Sequence, residues 1–164
     1  ATSLWHERKS YGANHWNIAA TTVLGGRVVG GHRSSPILYF VDPAAETEGS
    51  SPLVMTVQTP PAHAYPDQIE MNALYLDCVT GVGLNTTTAA DLDPVVMMRM
   101  SRDGATWGTQ LSRALGRQGQ TQTRLAWHAL GTTDHRGASF EFSCSAAVAR
   151  TLMSASIDGA KIPA

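Results

Sequence analysis

The residues whose types and spacing could do chemistry are concentrated in the heptapeptide SRDGATW, residues 101–107. An aspartate in such a turn can accept backbone N–H groups with its carboxylate, and glycine can adopt the positive φ that a tight turn requires. A tryptophan just past the turn can cover the hairpin. The pattern therefore predicts a structural turn built on Ser101, Asp103, Gly104 and Trp107 rather than an acid–base site.

The other groups that could catalyse a reaction or bind a metal show no useful spacing. Asp91 and Asp93 could form a carboxylate pair with Asp103, but Asp93-Pro94 is more simply a turn that leads into a strand. The six histidines have no i, i+4 or His-x-His spacing, although a metal site assembled in space stays open. Ser145 lacks the Gly-x-Ser-x-Gly motif of an activated serine. The sequence thus predicts no catalytic residue, no cofactor and no metal.

The composition indicates a chain with few charges and without the overall positive charge that would attract nucleic acid. Only 15% of the 164 residues are charged and the formal net charge is −1. So few charges indicate either a surface covered by neighbours or an ordinary low-charge β domain. No apolar run approaches the roughly 20 residues that cross a bilayer. No signal-peptide pattern follows Ala1, and we expect no membrane association. The chain opens in the middle of a pattern at Leu4–Arg8, so we expect a fragment or a processed product.

The two cysteines, Cys78 and Cys144, are too few and too widely separated for a disulfide framework or a zinc site. Each lies in a run of alternating apolar residues. The sequence therefore predicts two buried thiols, with a disulfide between them as the alternative.

Short apolar runs separated by Gly, Pro and Thr indicate an all-β fold. For residues 1–42 the pattern predicts tight turns at Gly25-Gly26 and Gly30-Gly31, since neither pair has the strand–loop–helix context of a phosphate loop. The strands predicted there are Leu4–Arg8, His15–Val23, Arg27–Val29 and Ile37–Val41. Four such strands make one antiparallel sheet, which cannot bury both of its faces alone.

An acidic, proline-bounded segment, residues 43–52, predicts a linker or long loop before a second block over residues 53–164. In that block Phe140 and Phe142 alternate with Glu141, and Trp127 lies on a similar alternating run, as in strands with one buried face. About seven short strands in about 110 residues suit a β-sandwich. The predicted strands are Leu53–Gln58, Gln68–Val79, Val95–Met100, Gln110–Arg113, Thr123–Leu130, Ala138–Cys144 and Thr151–Ile157.

Arginines are concentrated in the second block and could line a contact surface. DNA phosphates and a protein neighbour are the two candidate partners, and contact with protein is the favoured interpretation. Arg102, Arg117 and Arg136 are the residues we expect to face a partner or DNA.

The turn at residues 101–107 resembles the Asp-box, the Ser-x-Asp-x-Gly-x-Thr-Trp hairpin of sialidase-like propeller proteins, and is one residue shorter. In those families the box is a structural turn away from the catalytic centre. The resemblance therefore implies a folding role for Asp103.

A longer series of segments resembles the C-terminal part of the packaged-DNA stabilisation proteins, also called tail hub or head-completion proteins, of short-tailed bacteriophages. The departures include Arg117, where the family has lysine in Leu-Gly-Lys, and Asp134-His135-Arg136, where it has Arg-Asp-Arg. The matching segments follow the family's order: Trp5–Arg8, Gly26–Gly31, Ile37–Asp42, Gln68–Leu84, Asp93–Gly104, Trp107, Leu115–Gly119, Arg124–Gly131 and Arg136–Phe142.

This resemblance implies a non-enzymatic virion protein of the tail or neck, assembled in the host cytoplasm. Residues 1–42 would be the last blade or closing strands of a β-propeller, and residues 53–164 a β-sandwich-like module. Family members form a homo-oligomeric ring, usually a hexamer, below the portal and adaptor proteins. There they retain packaged DNA and carry the tail needle and the tailspikes or fibres.

Two alternatives from other functional classes stay open at this point. The chain could be a fragment of an Asp-box glycosidase such as a sialidase, which would need residues from several blades. It could also be a carbohydrate-binding β-sandwich that stacks sugars on Trp107 or Trp127, although the alternation around Trp127 favours core packing.

Overall fold

A computed structural model describes residues 7–163 and is all-β, with one short helix. A boundary after Leu53 separates two compact units. The strands are β1 (Ile18–Leu24), β2 (Arg27–His32), β3 (Leu38–Phe40), β4 (Thr47–Glu48), β5 (Ser51–Pro52), β6 (Met55–Gln58), β7 (Gln68–Cys78), β8 (Val95–Ser101), β9 (Leu111–Ala114), β10 (Leu125–Thr132), β11 (Ser139–Cys144) and β12 (Leu152–Ile162), and the helix is α1 (Ala89–Leu92). The predicted strand Leu4–Arg8 lies mostly outside the described residues, and Glu7 and Arg8 are not in a strand.

The first unit contains a three-stranded antiparallel sheet in the order β1-β2-β3. The predicted turn at Gly25-Gly26 joins β1 to β2, and both glycines have positive φ, 57° and 78°. The turn predicted at Gly30-Gly31 is wrong, because both residues lie within β2 and pair with β1 and β3. Gly30 is needed there for packing, since a Cβ atom would stand 2.7 Å from Cγ2 of Ile18.

This sheet buries little of its apolar surface within the described residues. Ile18 and Val29 are its buried hydrophobic side chains. Leu38 and Phe40, on the edge strand β3, are 73% and 66% exposed. No sheet formed by residues 7–163 closes on itself, and the assignment of residues 1–42 to a propeller stays a prediction.

The segment predicted as a linker, residues 43–52, contains the two-residue strands β4 and β5, which pair as a hairpin. Ser10 ties this segment to the start of the unit, because its Oγ donates to Oε1 of Glu48 at 2.7 Å. The same Oγ accepts the backbone N–H of Asn17 at 2.9 Å. The β4–β5 hairpin and the bond from the distant Ser10 thus give the segment structure that its composition did not predict.

The second unit consists of two antiparallel sheets, in the orders β10-β7-β12 and β6-β11-β8-β9. Their facing side chains form one core with Trp127 fully buried at its centre, 5.8 Å from the ring of Phe142. The remaining core residues are Met71, Leu74, Leu76, Val96, Met98, Leu115, Leu125, Leu130, Ala138, Phe140, Cys144, Ala146 and Val148. Two sheets packed over a common apolar core make a β-sandwich, as the alternation predicted.

Strand β11 differs from the half-buried strand that its alternation predicted. Phe140 and Phe142 face the core, but Glu141 and Ser143 on the opposite side are also buried. The reason is its place in the sheet, because β11 is flanked by both β6 and β8 and side chains from these strands cover its outer face.

The core thiol of Cys144 is buried and that of Cys78 is half-buried, and both cysteines are thiols rather than a disulfide pair. Burial, with a smaller contribution from Asp77, raises the pKa of Cys78. Residues 7–163 contain no helix with the length and hydrophobicity needed to cross a membrane. In that same range no group of three or more His, Cys, Asp or Glu side chains is placed to hold a metal ion.

Candidate functional site

The heptapeptide at residues 101–107 forms a turn organised by one carboxylate oxygen. Oδ1 of Asp103 accepts the backbone N–H of Ala105 at 2.9 Å and that of Thr106 at 2.6 Å. It also accepts the hydroxyl of Ser101 at 3.0 Å, and the Ser101 Oγ in turn accepts the N–H of Gly104 at 2.9 Å. Ser101 is buried at the end of β8, so the turn is fastened to the sheet at its first residue.

The electrostatics of this turn match its geometry. The N–H groups of Thr106 and Ala105, followed by the hydroxyls of Thr106 and Ser101, hold the pKa of Asp103 well below its usual range. Gly104 has φ of +74°, the left-handed region that glycine adopts with little strain. An aspartate held this firmly as a carboxylate is a poor general acid, and its oxygen is occupied in bracing the turn.

Arg102 joins the turn to the facing sheet. Its Nε donates to the carbonyl oxygen of Thr132 at 3.1 Å and its Nη2 donates to that of Leu130 at 3.0 Å. The Leu130 carbonyl lies within a β-bulge, where Ala129 and Leu130 stand against the single residue Asn72 of β7, and the Thr132 carbonyl lies just after this bulge. The Arg102 guanidinium therefore serves the fold, although its side chain remains at the surface.

The bulge contains the one non-glycine residue of positive φ in the described part of the chain. Ala129 has φ of 57°, and left-handed alanine costs about 1–2 kcal/mol. The bulge and the turn together border a groove of about 540 Å³. Its lining consists of the apolar side chains of Met98, Met100, Trp107, Leu111, Ala129 and Leu130, the backbone of Gly108, and the polar side chains of Arg102, Asp103, Thr106, Thr109 and Asp134.

A second polar cluster crosses the outer face of the β6-β11-β8-β9 sheet. Gln58, Glu141 and Arg99 are directly opposite one another on three neighbouring strands. Nε of Arg99 and Nε2 of Gln58 donate to the two carboxylate oxygens of Glu141. The guanidinium of Arg99 lies over the ring of Trp107, 4.9 Å from its centroid.

Charge and burial oppose each other at Glu141. The hydrogen bond from Arg99 is the main cause that lowers the pKa of Glu141, and the bond from Gln58 lowers it further, while burial raises it. The same contact raises the pKa of Arg99. The pair is thus ionised at neutral pH, and it positions Trp107 beside the turn.

The structure does not place the three predicted partner-facing arginines in equivalent settings. The guanidinium of Arg102 donates hydrogen bonds to two backbone carbonyl oxygens, as described above. Arg117 forms an exposed ion pair with Asp93, with 3.4 Å between Nε and Oδ2. Arg136 is exposed, and its backbone N–H is bonded to Asp134 in a turn. Their contact with a partner or with DNA stays a prediction.

Sequence reasoning missed the Gln58–Glu141–Arg99 ladder and the role of Arg113. The signal for Glu141 was its position between Phe140 and Phe142, which places a charge on the opposite face of β11. Its partners could not be read from the sequence, because the strand order and register decide which residues are opposite one another. Arg113 donates to the carbonyl oxygen of Ala126 at 2.7 Å and lies over Trp127.

Trp127 itself is not available as a binding platform. It is fully buried, and its Nε1 donates to the carbonyl oxygen of Leu111 at 3.0 Å. Trp107 is partly exposed, but Arg99 lies over its ring. Neither tryptophan therefore resembles the open stacking surface that the carbohydrate-binding alternative requires.

The two packed sheets, their common core and the braced turns define a structural β-sandwich. The same stretch, residues 55–160, matches the family described as Bacteriophage P22 Gp10, beta-sandwich. The chain belongs to this family, the tail hub or head-completion protein family of short-tailed phages. The matched residues are the C-terminal part. No curated protein sequence matches the chain significantly.

Family membership confirms the resemblance drawn from the order of segments. It makes the chain a structural protein of the phage tail or neck, with the virion as its place of action.

Proposed function

We propose that this chain is the β-sandwich part of a tail hub that attaches below the portal and adaptor proteins, retains packaged DNA and anchors the tail needle and the tailspikes or fibres. The observation that supports the proposal most directly is the family match over residues 55–160, which coincides with the described sandwich. Copies of the chain would form the homo-oligomeric ring that the family resemblance implies, usually a hexamer, with identical contacts repeated around its axis.

The mechanism we propose is mechanical. The buried core resists separation of the two sheets, and the Arg102 contacts hold the exposed turn against the facing sheet. DNA would be held back by the closed assembly rather than by a reaction in this chain. Exposed cations such as Arg136 supply non-specific attraction to phosphates where DNA passes nearby.

The experiment that tests the proposal is a measurement of copy number in purified phage particles. We expect quantitative mass spectrometry, calibrated on the portal protein of the same particles, to find about six copies of this chain per particle. Electron microscopy of those particles should place the copies in the neck or tail. Particles that contain the portal protein but lack this chain would contradict the proposal.

Substitution of exposed arginines tests the proposed DNA retention separately. We expect particles that carry Arg136→Ala to lose DNA more readily on heating than wild-type particles at low salt, and this difference to shrink as salt is raised, because salt screens the attraction between Arg136 and the phosphates. Arg33→Ala, an exposed arginine of the first unit, is the matched control. Equal DNA retention in the Arg136→Ala and wild-type particles at every salt concentration would remove Arg136 from that role.

A further inference from the structure

The chain contains two Asp-Gly dipeptides, Asp103-Gly104 and Asp158-Gly159, and all four residues are exposed. Such dipeptides are prone to a spontaneous rearrangement of the main chain, because glycine has no side chain to keep its backbone nitrogen away from the aspartate carboxyl group. The first dipeptide lies in the turn of residues 101–107 and the second in strand β12. Their surroundings decide how readily each of them reacts.

The rearrangement joins the glycine nitrogen to the aspartate side chain. The nitrogen of Gly104 attacks Cγ of Asp103, a C–N bond forms, and the hydroxyl of the protonated carboxyl group leaves with the amide proton as water. Water then opens the five-membered succinimide ring at either of its carbonyl carbons. Attack at the former backbone carbonyl of Asp103 gives isoaspartate, in which the main chain runs through Cγ and the free carboxylate stands on Cα.

Ser101 binds both reacting groups of the first dipeptide through one hydroxyl. Its Oγ donates to Oδ1 of Asp103 at 3.0 Å and accepts the N–H of Gly104 at 2.9 Å. Ser101 is buried at the end of β8, so its hydroxyl is held in place. The nitrogen that must lose its proton is therefore bonded to the same oxygen atom that restrains the group it must attack.

The other bonds of the turn keep the carboxyl group of Asp103 in its unreactive form. The N–H groups of Thr106 and Ala105 donate to Oδ1 and are the main reason that the pKa of Asp103 lies well below its usual range. Only a protonated carboxyl group can release a hydroxyl as water. The ionised side chain is therefore a poor target for the nitrogen of Gly104.

Packing gives the first dipeptide no comparable protection. A Cβ atom at Gly104 would meet no atom within 4 Å, and solvent water can reach the exposed turn. The hydrogen bonds of the turn, rather than burial, must therefore slow the reaction.

The second dipeptide is restrained in a different way. Asp158-Gly159 lies in β12, where the two residues pair with Ala73 and Met71 of β7. The strand pairing that restrains it does not involve the hydroxyl of Ser101. Asp158-Gly159 therefore provides a reference within the same chain for any change made at Ser101.

We propose that Asp103-Gly104 is a latent site of isoaspartate formation, which Ser101 keeps closed by binding both reacting groups. In isoaspartate the main chain is one atom longer and the carboxylate has moved to Cα, so the bonds to Ala105 and Thr106 cannot form as they stand. The rearrangement would therefore loosen the turn. Because the reaction involves this chain alone, its outcome does not depend on the proposed function.

The test measures isoaspartate in the purified full-length chain during prolonged incubation at neutral pH. Peptide mapping with electron-transfer fragmentation distinguishes isoaspartate from aspartate at both dipeptides. We expect Ser101→Ala to raise the rate at Asp103 about fivefold, since two hydrogen bonds to the reacting groups are lost, and to leave the rate at Asp158 unchanged. The matched control Ser112→Ala, at an exposed serine of β9, should change neither rate.

The unfolded wild-type chain supplies the rate of the unprotected reaction. In concentrated guanidinium chloride, isoaspartate should form at Asp103 at least about tenfold faster than in the folded chain. This comparison requires no substitution and holds even if Ser101→Ala does not fold. Thermal unfolding of Ser101→Ala checks that its fold is unchanged.

Equal rates at Asp103 in the folded and the unfolded wild-type chain would overturn the inference. A folded Ser101→Ala chain that reacts at the wild-type rate would overturn it as well. So would equal acceleration at Asp103 and Asp158, because a general loosening of the fold, rather than the loss of the Ser101 bonds, would then explain the change.

Discussion

The sheet of the first unit and the sandwich of the second use similar residues but bury them very differently. In the first sheet the large apolar side chains of Leu24, Leu38 and Phe40 are exposed. In the sandwich Phe140 and Phe142 are buried, because a second sheet covers the face that they share. The difference teaches that antiparallel pairing alone does not make a core, since a sheet buries its apolar face only against another layer.

The two units should differ most in how much stability they lose when one aromatic side chain is removed. Trp127→Ala should lower the free energy of unfolding of the sandwich by about 3–5 kcal/mol, because it leaves a cavity and removes the bond to Leu111. Phe40→Ala in the first sheet should cost about 1 kcal/mol or less. Urea denaturation followed by amide hydrogen exchange can measure both units, and equal losses would contradict the comparison.

Substitution of one glycine in each unit tests the same contrast between the closely packed sandwich and the open first sheet. A Cβ atom at Gly159 would lie 2.1 Å from the carbonyl oxygen of Glu70, so Gly159→Ala should force β12 away from β7 and cost about 2–3 kcal/mol. Gly25 in the first sheet has positive φ but open space around it, so Gly25→Ala should cost about 1 kcal/mol. Calorimetric unfolding of both variants checks the order, and a larger loss for Gly25→Ala would reverse it.

Arginine substitutions compare a cross-strand ladder with an exposed ring contact. Arg99→Ala removes the guanidinium from the buried Glu141 carboxylate and should cost about 1–3 kcal/mol. Arg27 lies over the exposed ring of Phe40, and Arg27→Ala should cost about 0.5 kcal/mol. Chemical denaturation at neutral pH measures both values, and a small effect at Arg99 would show that the ladder is not a stabilising element.

The Arg99–Glu141 contact also predicts a pH dependence. Because the folded pKa of Glu141 is lowered, its contribution to stability is complete above the ordinary glutamate pKa of about 4.3 and is lost as the pH falls through the lower folded value. The stability difference between wild type and Arg99→Ala should therefore shrink in acid. Denaturation midpoints measured from pH 7 to pH 3 check this, and a constant difference would rule out the linkage.

The smallest expected effects concern the exposed turns of the sandwich itself. Asp103→Ala removes the acceptor of two backbone N–H groups, whereas Asp134→Ala removes the acceptor of the Arg136 N–H. We expect the melting temperature to fall more for Asp103→Ala than for Asp134→Ala, and hydrogen exchange to quicken locally at Ala105 and Thr106. A turn that exchanges at the wild-type rate without its carboxylate would show that Asp103 is dispensable there.

Much of the sandwich was predictable because the side chains of its aromatic-bearing strands carry a clear period of two. The runs around Trp127 and Phe140 alternate, and both lie in strands whose aromatic side chains reach the core. The turn at residues 101–107 was predictable for a similar reason, since its hydrogen bonds join residues close together in the sequence. Local patterns of this kind do not depend on the arrangement of distant strands.

The errors arose where distant residues decide the outcome. Gly30 was predicted in a turn, but it faces Ile18 across a strand pair and is a packing glycine. The bonds from two N–H groups of Arg102 to carbonyls about thirty residues away were not predicted, whereas its contact with a partner stays a prediction. Neither contact leaves a trace in the neighbouring residues.

The sequence by itself determined the all-β class, the faces of the aromatic strands, the braced turn and the order of segments that marks the phage tail hub family. Only the tertiary structure decided which strands are neighbours, and through them the Gln58–Glu141–Arg99 ladder and the bonds from Arg102 and Arg113 to carbonyls of β10. The physical reason is that alternation fixes the face of a side chain, whereas register and sheet order depend on packing between segments far apart in the chain.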